Sequence, residues 1–208
     1  MKNNRGSNQS ITDESRRDFV RKVGLSLGGL AACSLVAGNS ISTALAYTAK
    51  SNSADIAGYV FSQSQMNILK YIVETILPAT DTPSGADVDC HGFIDHQLIY
   101  CHNKAQQQQS ITIVDKIAEY SNKHYQLSYA NISSKLRTDI LNSIEAEQGF
   151  TSEDKKGFKF LKALIVFGFF TTEVGATQAL NYQAVPGEFN GSIPYTKESK
   201  AWGSLGFY

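Results

Sequence analysis

Tryptophan occurs once, cysteine three times and proline four times in 208 residues, and 19 basic side chains are matched by 19 acidic ones. Three cysteines are too few for a disulfide scaffold, and the odd count leaves at least one unpaired within the chain. Formal neutrality argues against a nucleic-acid binder, which carries a basic face. No Cys-x-x-Cys-His occurs, so a c-type haem is not attached here in the usual way. No Gly-x-Gly-x-x-Gly follows a strand-like run, and no Gly-x-Ser-x-Gly elbow presents a serine nucleophile. The apolar stretch Val23 to Val36 falls short of the ~20 residues that a spanning helix needs. What is there, 42% hydrophobic and 11% aromatic residues, suffices for one domain with a real core.

The amino-terminal 46 residues read as an address. Lys2, Arg5, Arg16, Arg17, Arg21 and Lys22 precede the weakly apolar stretch, and small residues follow it. Ser15-Arg16-Arg17-Asp18-Phe19-Val20-Arg21 closely resembles the twin-arginine export consensus: two arginines, then an aromatic residue, then a basic one. Ala44-Leu45-Ala46 fits the small-x-small rule for cleavage, which would leave Tyr47 as the new amino terminus. Leu30-Ala31-Ala32-Cys33 is a rival, a lipobox whose Cys33 would be acylated and hold the chain at a membrane. Retention of the whole leader is the third alternative.

The body reads as all-α, a small helical bundle with an extended tail containing glycine and proline. Residues 47–61 are small and polar, a linker before a helical domain over 62–185. Ser62 and Gln65 form a capping-box pattern, followed at helical spacing by Met66, Leu69, Ile72, Val73 and Ile76 until Pro78 stops the helix. Between Pro83 and Pro186 there is no proline, which favours uninterrupted helices. Three apolar stripes lie in that span: Cys90, Ile94, Leu98 and Cys101; Ile113, Val114, Ile117 and Tyr120; Leu136, Ile140, Leu141 and Ile144. Thr151 and Asp154 suit the start of a last helix, along which Phe158, Leu161, Leu164, Ile165 and Gly168 recur. In the tail, residues 186–208, Pro186, Gly187, Gly191, Pro194, Gly203 and Gly206 break any helix. Its aromatics Trp202, Phe207 and Tyr208 need another surface to lie on, the domain's own or a partner's.

Candidate chemistry is thin. Cys90-His91 and Cys101-His102 repeat a dipeptide, but eleven residues of helix set the thiols roughly 16 Å apart, beyond the reach of one ion. A disulfide between them would need Cα atoms within about 7 Å. Both cysteines therefore read as small core hydrophobes. His91 and Asp95 are i,i+4 neighbours, which suits a partly exposed hydrogen-bonded pair, or with Cys90 a metal site that would lack a fourth ligand. His124 lies among Tyr120, Lys123 and Tyr125 without an evident acid, and the glutamines at 106–109 look like a solvated helix connection.

Two segments carry a resemblance. One is Glu74-Thr75-Ile76-Leu77-Pro78-Ala79-Thr80-Asp81-Thr82-Pro83, followed by Val88 and Gly92-Phe93-Ile94-Asp95. The other runs Phe167-Gly168-Phe169-Phe170-Thr171-Thr172-Glu173-Val174-Gly175-Ala176-Thr177-Gln178-Ala179-Leu180-Asn181-Tyr182, then Val185-Pro186-Gly187-Glu188-Phe189-Asn190-Gly191. With the twin-arginine leader, they resemble the gluconate 2-dehydrogenase subunit 3 family over about residues 62–195. The resemblance implies a non-catalytic, mostly helical subunit of a periplasmic, membrane-associated complex, with no cofactor of its own. A large subunit of the glucose-methanol-choline class would hold FAD and oxidise a sugar, sugar acid or alcohol. A multihaem cytochrome c subunit would take the electrons. The small subunit would supply the signal read by the twin-arginine translocase and assist maturation of the flavoprotein. Phe169, Phe170 and Trp202 are the expected partner-facing aromatics. Ser192 stands where some members carry a cysteine, so a covalent tie to the large subunit at that place is not available to this chain.

Overall fold

The structure is a computed structural model that describes residues 47–183 and, in the tail, residues 187, 192, 194, 196, 197 and 199–202. Its described part is all-α. A 3-10 turn, Ser53–Asp55, precedes α1 (Gln63–Ile76), α2 (Cys90–Cys101), α3 (Lys104–Tyr125), α4 (Ser134–Glu145) and α5 (Ser152–Phe170), and a π-helical turn follows at Gly175–Ala179.

Side-chain caps set where most of these helices begin. Ser62 accepts from the Gln65 amide while the Gln65 side chain accepts from the Ser62 amide, so two of the donors a helix start leaves unpaired are satisfied together. The same reciprocal box closes α3 through Asn103 and Gln106, and α5 through Thr151 and Asp154. After Ile76 the chain turns at Leu77. The amide of Gly85 returns to the Leu77 carbonyl at 2.9 Å and closes the loop that carries Pro78 and Pro83.

The expected apolar stripes form the core. Met66, Leu69, Ile72 and Val73 of α1 meet Ile113, Val114 and Ile117 of α3, Ile140, Leu141 and Ile144 of α4, and Phe158, Leu161, Leu164 and Ile165 of α5. Tyr129, between α3 and α4, is also fully buried, its hydroxyl 3.4 Å from Thr75 Oγ1. No helix among the described residues is long and apolar enough to cross a membrane. A buried residue needs neighbours all round it, and the half of α2 from Cys90 to Asp95 has buried residues at five of six positions. α1 and α5 pack against this helix, and so does the 3-10 turn.

Three local readings change. The glutamines at 106–109 belong to the first turns of α3 rather than to a solvated connection. Gln107 is buried and donates from Nε2 to the carbonyls of Leu98 (2.7 Å) and His102 (3.0 Å), satisfying acceptors that the end of α2 leaves open. Cys101, the last residue of α2, is exposed, whereas Cys90 is fully buried; the stripe ends with the helix, so only the first cysteine is in the core. Residues 47–61, polar and small in composition, are packed chain: Ser53, Ala54 and Phe61 are buried.

Candidate functional site

Asp89 is the first centre of the site. It precedes α2 in a left-handed conformation, φ 58°, and caps the helix by accepting from the Gly92 amide at 3.3 Å. Its other oxygen, Oδ2, accepts from the Tyr47 hydroxyl, from the Lys50 amide at 2.7 Å and from Ser53 Oγ at 2.9 Å. His91 Nε2 stands 3.3 Å from Oδ1. A carboxylate with only 4% of its residue surface exposed is tolerable because donors surround it, and the helix start adds a favourable dipole. Space is part of the arrangement. A Cβ on Gly92 would collide with the Tyr47 hydroxyl and lie 2.7 Å from both Asp89 Oδ1 and Ser53 Oγ.

Asp95, one and a half turns on, is the second centre. Oδ1 accepts from the amides of Val60 (2.9 Å) and Phe61 (3.0 Å), and Oδ2 from the amide of Tyr59 (2.6 Å). Gly58 must lack a side chain, since a Cβ there would collide with this carboxylate. The two acids hold residues 47–61 as a strap across α2. A cavity of about 230 Å³ remains beneath it, lined in part by Tyr47, Lys50, Met66 and Asp95.

His91 and Asp95 are therefore not a pair. His91 turns back to Asp89, and Asp95 is occupied by three backbone donors. Both are buried, not partly exposed. Burial holds His91 below its ordinary pKa against the opposing pull of Asp89, and burial likewise lowers His96. Burial raises the Cys90 thiol to about 12, with Asp89 adding to the rise. Tyr47 also titrates well above its ordinary range, through burial and its bond to Asp89. No group of three or more His, Cys, Asp or Glu among the described residues is placed to hold a metal ion. His124 stacks on Tyr120 with ring centroids 4.1 Å apart.

Aromatic rings run from the strap across α2 to α5. Tyr59 meets Tyr100 (5.9 Å between centroids), Tyr100 meets His96 (4.6 Å), His96 meets Tyr47 (5.4 Å), Tyr47 meets Phe93 (5.9 Å), and Phe93 meets Phe167 (6.1 Å). Tyr59 and Tyr100 are the exposed end, 62% and 42% accessible. Of the three aromatics expected to face a partner, Phe169 is instead buried as a member of the hydrophobic core, and Phe170 packs edge-on against it at 5.3 Å, half-buried. Trp202 is exposed, and its segment lies back on the domain. Asn181 and Trp202 form an isolated parallel bridge, the Asn181 amide donates to Ala201 at 2.8 Å, and Lys200 Nζ reaches the Gln178 carbonyl. Near the first resemblance segment, Arg137 packs its guanidinium 4.3 Å above the Tyr71 ring while donating to Glu74 and to the Ala130 carbonyl, each at 3.1 Å. Ser15, Arg16, Arg17, Phe19, Arg21, Cys33, Ala44 and Ala46 lie outside the described residues.

Asp89 and Tyr47 escaped the sequence reading. A signal for Asp89 was present: an acid directly before an apolar stripe, with glycine three residues on, is an N-cap pattern. Tyr47 had none.

Fold and site together define a compact class, an all-α domain whose buried carboxylates serve to bind its own chain. The chain belongs to the gluconate 2-dehydrogenase subunit 3 family, whose family model matches residues 63–187. No curated protein and no solved structure matches it.

Proposed function

We propose that this chain is the non-catalytic small subunit of a periplasmic FAD-dependent dehydrogenase complex acting on CH–OH groups of sugars, sugar acids or alcohols. The observation that carries the reading is the family match over residues 63–187, a family named for a subunit of gluconate 2-dehydrogenase. In this reading a large glucose-methanol-choline-type subunit holds FAD and performs the oxidation. A multihaem cytochrome c subunit accepts the electrons, and the complex is held at the membrane. The small chain supplies the twin-arginine signal and stabilises the flavoprotein during maturation. Its exposed rings, Tyr59, Tyr100 and Trp202, are the surface offered to the large subunit, since aromatic residues are enriched where proteins meet.

Export is the test. A flavoprotein without a signal of its own can leave the cytoplasm only while bound to a chain that has one, and the twin-arginine route carries folded cargo. Replacing Arg16 and Arg17 together by lysine keeps the charge but removes the planar guanidinium forks that a receptor grips. Fractionation should then find both subunits in the cytoplasm, with dye-linked dehydrogenase activity lost from the periplasm and retained inside. Normal periplasmic levels of flavoprotein, with only the small subunit stranded, would refute the reading.

A further inference from the structure

Where α3 and α5 begin, the two helices leave a groove of about 470 Å³ between them, within the roughly 300–1,000 Å³ of small-molecule sites. Gln106, Gln108 and Gln109 line it from α3, with Asn103 before them and Thr112 one turn on. Glu153 and Asp154 face them from α5. Ile113 and Gly157, both buried, form the base. A Cβ on Gly157 would stand 3.1 Å from Gln109 Cγ, so a larger residue there would crowd the glutamine. We propose that this groove binds a neutral polyhydroxylated molecule of the aldose class and discriminates against the sugar acid of the same ring. The inference does not depend on the complex proposed above, because the binding would be this chain's own.

A sugar hydroxyl both donates and accepts, and a carboxamide answers it with a donor and an acceptor in one plane. The caps use only part of what these side chains offer. In the box that starts α3, Asn103 and Gln106 accept through their carbonyl oxygens, which leaves both NH2 groups to donate into the groove. Gln109 donates to Glu153 at 3.4 Å and keeps its oxygen as an acceptor. Asp154 binds Thr151 through Oδ2 alone, and Oδ1 remains to accept. Donors and acceptors thus surround an apolar base at Ile113, on which the C–H face of a pyranose can lie. Charge sets the selectivity. The charged side chains of the lining are both acids; Lys156 pairs with Glu153 at 3.3 Å but does not itself line the groove. A ligand carboxylate would therefore meet like charge, a repulsive element that a neutral sugar escapes.

The experiment titrates the isotope-labelled full-length chain with glucose, and separately with glucuronate, by NMR at neutral pH and low salt. Glucose should shift the side-chain amide signals of Asn103, Gln106, Gln108 and Gln109, saturating in the millimolar range that suits so small a ligand in an open site. Glucuronate should bind about five-fold more weakly, the scale of one like-charge contact in water. Glu153→Gln should narrow that gap while glucose still binds. Gln108→Ala, at an exposed position, should weaken glucose about five-fold, the scale of one neutral hydrogen bond, without lowering the melting point. Lys123→Ala, near the other end of α3, should leave binding unchanged. Absence of shifts at tens of millimolar glucose, or shifts confined to residues outside the groove, would overturn the proposal. Equal affinity for the two sugars, or a gap that Glu153→Gln leaves as it was, would overturn the discrimination against the acid.

Discussion

Replacing Asp95 by asparagine removes one charge and one acceptor from a carboxylate that binds three backbone amides. The amide oxygen can keep Val60 and Phe61, which share Oδ1, while the new NH2 group faces the Tyr59 amide now bound at 2.6 Å. Donor then meets donor. A hydrogen bond to a charged group contributes about 1.5–3 kcal/mol, and a buried unpaired donor costs about 1–3 kcal/mol. The two bonds that survive also lose their charge. The strap can limit the damage by lifting off, which surrenders the burial of Phe61, about 1.5–3 kcal/mol for a fully buried side chain of this kind, and leaves the five-helix core intact. The expected loss is therefore about 2–3 kcal/mol. At about 2–4 °C per kcal/mol for a domain of this size, the midpoint of thermal unfolding falls by roughly 4–12 °C.

Hydrogen exchange locates the loss. The Tyr59, Val60 and Phe61 amides should lose most of their protection in Asp95→Asn, whereas amides of α3 and α5 far from α2 should keep protection in proportion to the smaller global stability. A variant that melts within about 0.5 kcal/mol of wild type, with those three amides exchanging as before, would refute the assignment of Asp95 as the acceptor that holds the strap.

Gly92→Ala should loosen the amino-terminal end of the strap at a cost of about 1–3 kcal/mol, the usual range for overpacking, read as a lower melting point and faster exchange at Lys50. The pKa of His91 is lowered in the folded state, so the unfolded chain binds more protons between the folded value and the ordinary one near 6.5. Stability should be complete above about pH 6.5 and fall as the pH drops through that window; His96 contributes in the same sense, and His91→Gln should flatten the slope below pH 6.5. The lowered acids Asp87, Glu145 and Glu147 lose their contributions further down, below about pH 4.5. In a Cys33→Ser chain, a thiol reagent at neutral pH should modify Cys101 quickly and Cys90 only after unfolding; equal labelling of both in the folded chain would contradict the burial of Cys90.

The helices were legible because their signals are carried by side chains. Ser62 with Gln65 and Thr151 with Asp154 are reciprocal caps whose chemistry is written in residue types, and the stripes of α1, α3, α4 and α5 repeat at the helical period. The strap was not legible, for a physical reason. Four of the donors that hold it are the backbone amides of Lys50, Tyr59, Val60 and Phe61, and any residue but proline has one. Composition then reports only that 47–61 is small and polar. Gln107 escaped notice similarly: its neighbours made it look solvated, while the need it meets, two open carbonyls at the end of α2, exists only once α2 and α3 are joined.

The acceptors and the donors of the strap differ in where they lie. Asp89 and Asp95 fall within the family-matched residues 63–187, whereas Tyr47, Lys50, Ser53, Tyr59, Val60 and Phe61 all precede them. Without the preceding segment the two acids would keep few partners: Asp89 the Gly92 amide and His91, Asp95 none of the three amides it now binds. Bare carboxylates do not remain buried, because desolvating an unpaired charge is too costly. Water would have to take the place of the strap's donors around Gly92, and the first turns of α2 would lose their cover. The 63–187 unit thus lacks the donors that pair its two acids in the longer chain. A chain cut at residue 63 should show exchange at the first turns of α2 that the chain beginning at Tyr47 lacks; equal protection in both would mean that water or another group satisfies the acids as well as the strap does.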